Sequence, residues 1–276
     1  MEYILSGSVK IPVLGFGTWK LTGAACVRAT EQALETGYRH IDTAQIYENE
    51  TEIGTVLSGS GIARADIFLT TKVWTENLKD GALQRSVDES LKKLKTDYVD
   101  LLLIHWPMTD VPFAEQLQAL KSVQDAGKTR LIGVSNFTVA QLREAVEIIG
   151  APLVNNQVEY HPYLSQKPVL DFTRSHDMFL TAYSPLARGK IMDDPTLDAL
   201  AKKHGKSISQ IILRWLLQHG DVAAIPKAAS VAHIKSNFDI FDFVLSHEDV
   251  AAIHALARPD GRLINPAWGP VWDKSA

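Results

Sequence analysis

The sequence predicts an α/β fold, a (β/α)8 TIM barrel with an N-terminal β-hairpin at its bottom. Three observations point there. Short apolar runs alternate with longer amphipathic ones, the order expected of strands and their crossover helices. The short runs are nearly continuous in apolar residues, as parallel strands buried on both faces are. The length, 276 residues, suits one barrel of roughly 250 residues.

The elements follow in order. "YILSGSVKIPVLG" reads as the hairpin, turning near Gly7, and "GAACVRATEQALETGY" reads as a helix. The strand-like runs are then "YRHIDTA", "IFLTTKVW", "YVDLLLIHW", "LIGVSN", "LVNNQVEY", "MFLTAYSP", "VAAIPK" and, more weakly, "FDIFDF". Between them, "LKDGALQRSVDESLKKLK" places Leu83, Val87, Ser90, Leu91 and Leu94 on one helical stripe. "VAQLREAVEIIG", "DPTLDALAKKHG" and "SISQIILRWLLQHG" each end on glycine, a helix stop. The competing architecture is an open doubly wound sheet, which announces itself by G-x-G-x-x-G after its first strand. "VLGFGTW" has no third glycine and precedes the repeating pattern. No linker or composition shift divides the chain, so residues 1–276 are expected to form one domain.

Composition narrows the function classes. The content is 46% hydrophobic and 22% charged with net charge -4, which argues against a nucleic-acid surface. The single cysteine, Cys26, lies in a helical pattern and reads as a small packed side chain, so no intramolecular disulfide forms. No apolar run approaches the roughly 18 residues of a membrane span, and "MEYILSGSVK" is not patterned as a secretion signal. The expected compartment is the cytoplasm. Neither H-E-x-x-H nor C-x-x-C occurs, and no metal site is expected.

Barrel chemistry sits at the C-terminal ends of the strands, and those ends carry polar residues in succession. They are Asp42; Lys72, followed by Trp74; His105, followed by Trp106; Ser135 and Asn136; Asn156, Gln157 and Glu159, with His161 beyond; Tyr183 and Ser184; and Lys227. Each alone reads as a helix cap, a strand-end charge or a packed core histidine. Together, in groups that cost about 1–3 kcal/mol each when buried unpaired, they read as a site. Tyr47 follows Asp42 by five residues. A lysine ammonium beside Tyr47 would favour its phenolate and lower its pKa, an aspartate would hold that lysine, and a histidine would orient a carbonyl.

With those residues in place, the chain resembles the aldo-keto reductase superfamily from Val13 almost to its end. The resemblance rests on "VLGFGTWKL", "GYRHIDTAQIYENE", "LTTKVW", "LLLIHWP", "IGVSNF", "NNQVEYHPY", "AYSPLARG" and "IPKAAS…NF". The "DTAQIYENE" wording and the "DGRLINP…W" tail are most similar to the bacterial 2,5-diketo-D-gluconate reductases, whose B-type members also reduce methylglyoxal. The resemblance implies a tetrad of Asp42, Tyr47, Lys72 and His105, with Tyr47 as the acid in reduction. It implies hydride from NADPH bound without a dinucleotide-binding fold. Cofactor contacts carried over are Gly17, Thr18, Trp19 and Asp42 at the mouth, and Ser135, Asn136 and Gln157 at the carboxamide. Tyr183 is carried over as the stacking ring, with Ser184, Leu186 and Lys190 near the pyrophosphate. Trp19, Tyr47, Trp74, His105, Trp106 and Trp268 would form the substrate pocket.

One departure concerns the 2′-phosphate site. Lys227 and Asn237 match the family pattern, but Ala228 replaces a serine and His233 an arginine, leaving Lys227 and Ser230 as donors. An arginine offers a permanent charge and a stacking plane that a neutral histidine lacks. NADPH is expected to be used with reduced preference, NADH serving as well. A regulatory barrel subunit without catalysis, and a Schiff-base lyase using Lys72, are the alternatives; Tyr47→Phe and borohydride trapping separate them from a reductase. The short connection "HWPMTDVPFAEQ" and short tail suggest an open site for small aldehydes, α-dicarbonyls and keto-sugar acids, in a monomer.

Overall fold

The computed structural model describes residues 2–108 and 110–274. β1 (Tyr3–Ser6) and β2 (Val9–Pro12) pair antiparallel about Gly7, whose φ of +56° is the left-handed turn that glycine adopts without strain. This is the expected hairpin. Its strand β1 lies beside Met178 and Phe179, where a barrel strand begins, so it sits at the bottom.

Eight parallel strands follow: β3 (Phe16–Gly17), β4 (His40–Asp42), β5 (Phe68–Val73), β6 (Val99–Ile104), β7 (Thr129–Ser135), β8 (Asn155–Glu159), β9 (Phe179–Tyr183) and β10 (Val222–Ala224). They are hydrogen-bonded in sequence order, β3 to β10. The two outer members meet through a parallel bridge between Leu14 and Ala224. Gly15 N–H donates to Ala224 O at 2.8 Å, Ala224 N–H to Val13 O at 2.8 Å, and Gly17 N–H to Pro226 O at 3.1 Å. A Cβ at Gly17 would lie 2.5 Å from Ile225 O, so glycine is what lets the first and last strands approach.

One expected strand is corrected. "FDIFDF" is not a strand: Phe238 ends helix α9 (Val231–Phe238), and the next residues are irregular. Its Phe/Asp alternation has another cause. Phe238 packs on Tyr38 at 4.8 Å between ring centroids, Ile240 is buried, and Asp239 and Asp242 pair with Lys206. The eighth strand comes from the other end of the chain, as Phe16–Gly17, within the segment that reads as preceding the repeat.

The helical layer covers the barrel. The stripe of α3 (Ala82–Leu94) buries Leu83, Val87, Ser90, Leu91 and Leu94 as its periodicity requires. β5 and β6 are buried along their whole lengths. Among the described residues no helix is long and apolar enough to cross a membrane.

Candidate active site

The C-terminal ends of β4, β5 and β6 bring three of the predicted residues together. Lys72, fully buried, donates from Nζ to Asp42 Oδ1 at 2.5 Å and to Thr43 O at 2.8 Å. The other Asp42 oxygen accepts Gln157 Nε2 at 2.8 Å from across the barrel. After β4 a tight 3-10 turn, Gln45–Tyr47, carries Tyr47 to the mouth; Glu48, with φ +55°, ends it. Gln45 fixes this turn, accepting Trp74 N–H at 2.9 Å and donating to Ser86 Oγ at 3.1 Å. The Lys72 ammonium then stands 5.0 Å from the Tyr47 ring centroid, and the His105 ring 5.7 Å from it, nearly perpendicular.

The electrostatics of the group differ from the expected phenolate activation. Burial, and next the Asp42 charge, push the Tyr47 phenol well above its ordinary 10. Tyr47 therefore keeps its proton. Burial, and next the Lys72 charge, hold the His105 imidazole well below its usual range, so it is neutral. Its Nδ1 is buried without a partner among the described residues. Burial also lowers Lys72, against the opposing pull of Asp42.

A second run of predicted residues joins this group by hydrogen bonds. Tyr183 Oη donates to Asn136 Oδ1 at 2.7 Å, Asn136 Nδ2 donates to Ser135 Oγ at 3.0 Å, and Ser135 Oγ donates to Gln157 O at 2.8 Å. Gln157 in turn reaches Asp42, so β9, β7, β8, β4 and β5 share one polar network. Asn136 and Ser184 hold φ of +64° and +47°, and Ala187 and Arg188 are left-handed too. Non-glycine residues in that region are strained, and such strain gathers at functional sites.

The loop holding Gly17, Thr18 and Trp19 is tied to the same centre. Thr18 Oγ1 donates to Asp42 O at 2.9 Å, and Asn49 Nδ2 donates to Thr18 O at 3.0 Å and Leu21 O at 2.9 Å. Trp19 lies beneath the Arg188 guanidinium at 4.4 Å. Trp74 packs on His105, and Trp268 on Trp74 and Trp106 at 6.3 and 5.1 Å, an aromatic wall beside the tyrosine. Leu186 is half-buried near Arg188, and Lys190 is exposed.

Lys227, Ser230, His233 and Asn237 form a separate group where β10 meets α9, with no hydrogen bond to the tetrad. Ser230 caps α9, its Oγ accepting His233 N–H at 3.3 Å. Lys227 and His233 are exposed, while Ala228 and Asn237 are buried. Sequence reasoning assigned no role to Asn49, Arg188 or Trp272, and placed Glu159 only among the strand-end polar residues without a task of its own. Asn49 and Glu159 stand inside quoted motifs as buried polar residues, which was the available signal. Arg188 and Trp272 acquire partners only through folding.

A parallel barrel with a buried Asp42–Lys72 pair beside a tyrosine and a histidine at its mouth is arranged for proton transfer. Comparison with known proteins is consistent with this. The pattern of the Aldo/keto reductase family matches residues 13–258. The methylglyoxal reductase DkgB of Yersinia pestis is 41% identical over 96% of this chain and 100% of that protein. The glyoxal reductase of Bacillus subtilis (strain 168) is 41% identical over 95% of each. The crystal structure of a putative 2,5-diketo-D-gluconic acid reductase B superposes with a TM-score of 0.96 at 52% identity, over 99% of this chain and 98% of that one. The chain belongs to the aldo/keto reductase family, whose members generally use NAD(P)H. It is an oxidoreductase, and its reductase relatives support carbonyl reduction.

Proposed function

We propose that this enzyme reduces aldehydes and ketones of small α-dicarbonyls and keto-sugar acids with NADPH, Tyr47 giving the proton. The observation that carries the reading is the Asp42–Lys72 pair beneath a phenol that keeps its proton, next to a neutral imidazole. When bound, the nicotinamide supplies hydride to the carbonyl carbon. The carbonyl oxygen takes its proton from Tyr47 Oη, and the product is the alcohol. A developing alkoxide is far more basic than a phenolate, so a high phenol pKa does not prevent the transfer. His105, neutral, offers an N–H to the carbonyl oxygen without competing as an acid. Lys72, aimed by Asp42, faces the negative charge that Tyr47 acquires after the proton leaves.

The donor set fits the dinucleotide. Ser135, Asn136 and Gln157 present amide and hydroxyl groups beside the Tyr183 ring, suited to a carboxamide and a stacked nicotinamide. Gly17, Thr18 and Trp19 border the same centre, and Ser184 and Leu186 follow Tyr183. Lys190 and Lys227 are exposed cations able to meet phosphate oxygens. Trp19, Trp74, Trp106 and Trp268 supply apolar surface for the substrate.

Preference for the 2′-phosphate is weakened, because Ala228 offers no hydroxyl, His233 no fixed charge, and Ser230 already caps α9. The test is kcat/KM with methylglyoxal and each cofactor. NADPH should lead NADH by less than about a thousandfold, and His233→Arg should widen the gap by about tenfold. A wild-type ratio well above a thousand contradicts the reading. The enzyme is proposed to act as a cytoplasmic monomer; a dimer peak in gel filtration would contradict the latter.

A further inference from the structure

Glu159 closes β8 at the barrel mouth. Asn155, Gln157 and Glu159 alternate onto one face of the strand, the face from which Gln157 crosses to Asp42. Glu159 is fully buried, and its carboxylate grips the C-terminal segment of the chain. Oε1 accepts Leu263 N–H at 2.8 Å and His161 Nε2–H at 3.0 Å, and Oε2 accepts Ile264 N–H at 2.9 Å. The approach to this clamp is tight: a Cβ at Gly261 would lie 1.7 Å from Tyr163 O.

Past the clamp the segment crosses the mouth. Arg262 stacks on Trp272 at 3.7 Å, Trp272 Nε1 donates to Asn265 Oδ1 at 2.9 Å, and Trp272 and Trp268 both pack on Trp106. Asp273 Oδ2 accepts Val139 N–H at 3.0 Å, at the start of α5 (Val139–Arg143). Trp268, half exposed, hangs between a buried anchor and this surface one.

We propose that Glu159 is a positioning residue that fixes the placement of Trp268 and Trp272 and so sets how the enzyme treats bulky carbonyl substrates. This rests on the reading of Trp268 as pocket wall. A carboxylate satisfies two converging backbone N–H groups and the His161 N–H together. An amide has one accepting oxygen, and its NH2 opposes a donor.

The test compares wild type with Glu159→Gln in two independent assays. In native-state trypsin digestion, cleavage after Arg262 should accelerate at least tenfold. With NADPH, kcat for methylglyoxal should stay within about threefold, while KM for an aromatic aldehyde rises about tenfold. In the double variant with Trp268→Ala, Glu159→Gln should add no further KM increase. Unchanged proteolysis, or KM effects that multiply independently in the double variant, overturn the proposal. Should Glu159→Gln not fold, Ile264→Pro deletes the N–H gripped by Oε2 from the segment's side while leaving the Arg262–Leu263 bond open to trypsin, and the same readouts decide. The proteolysis arm stands apart from catalysis: a wild type that reduces no carbonyl defeats the proposed function and leaves the anchor judged by trypsin.

Discussion

Replacing Lys72 by Met separates the structural role of the buried pair from its chemical one. The substitution keeps most of the side-chain length and removes both hydrogen bonds from Nζ. Asp42, 1% exposed, then keeps one side-chain partner, Gln157 Nε2. A buried charge that loses its partner costs about 3–5 kcal/mol. For a domain of this size that corresponds to a fall in melting temperature of about 6–10 °C. Asp42→Asn in the same protein removes the stranded charge, so the double variant should recover about 2 kcal/mol. Urea denaturation followed by circular dichroism, with ΔG extrapolated to water, measures all three proteins. A single variant within 1 kcal/mol of wild type, or a double variant less stable than the single, would refute the reasoning.

Three further outcomes follow from other sites. Gly17→Ala places a methyl 2.5 Å from Ile225 O, and because backbone must move the fold should lose about 1–3 kcal/mol in the same urea assay. His219, packed with Trp215 and His254, is held at about 4 by burial and next by His254. Its folded value lies below its unfolded one, so unfolded chains bind the extra proton and stability falls as pH drops from about 6.5 to about 4. The loss is about 2 kcal/mol after discounting for partial exposure, and His219→Gln should flatten that limb of a stability–pH profile. Trp268→Ala should raise KM for aromatic aldehydes more than for methylglyoxal, measured by NADPH consumption.

Much of this was legible in sequence because the chemistry lies at strand ends. Asp42, Lys72 and Gln157 interrupt apolar runs, and burial of a charged or amide side chain in such a run demands a partner. The topology supplies those partners by placing β4, β5 and β8 around one axis. The missed first strand has a physical reason: Phe16–Gly17 is only two residues long, and its pairing depends on Ala224 and Pro226 far along the chain. "FDIFDF" misled because a loop packed on α9 and Lys206 imitates the period of two that marks a strand. The direction of the Tyr47 shift was not readable either. It is set first by desolvation of the phenol and next by the Asp42 charge, and both depend on where the turn after β4 seats the ring, which spacing does not give.

The central claim is that Tyr47 delivers the proton. Tyr47→Phe removes one oxygen from a half-buried ring and leaves the Asp42–Lys72 pair in place. The account predicts unchanged melting temperature, retained NADPH binding by fluorescence titration, and kcat for methylglyoxal reduction lower by about a hundred- to ten-thousandfold. A variant that binds NADPH and reduces methylglyoxal at close to the wild-type kcat would contradict it.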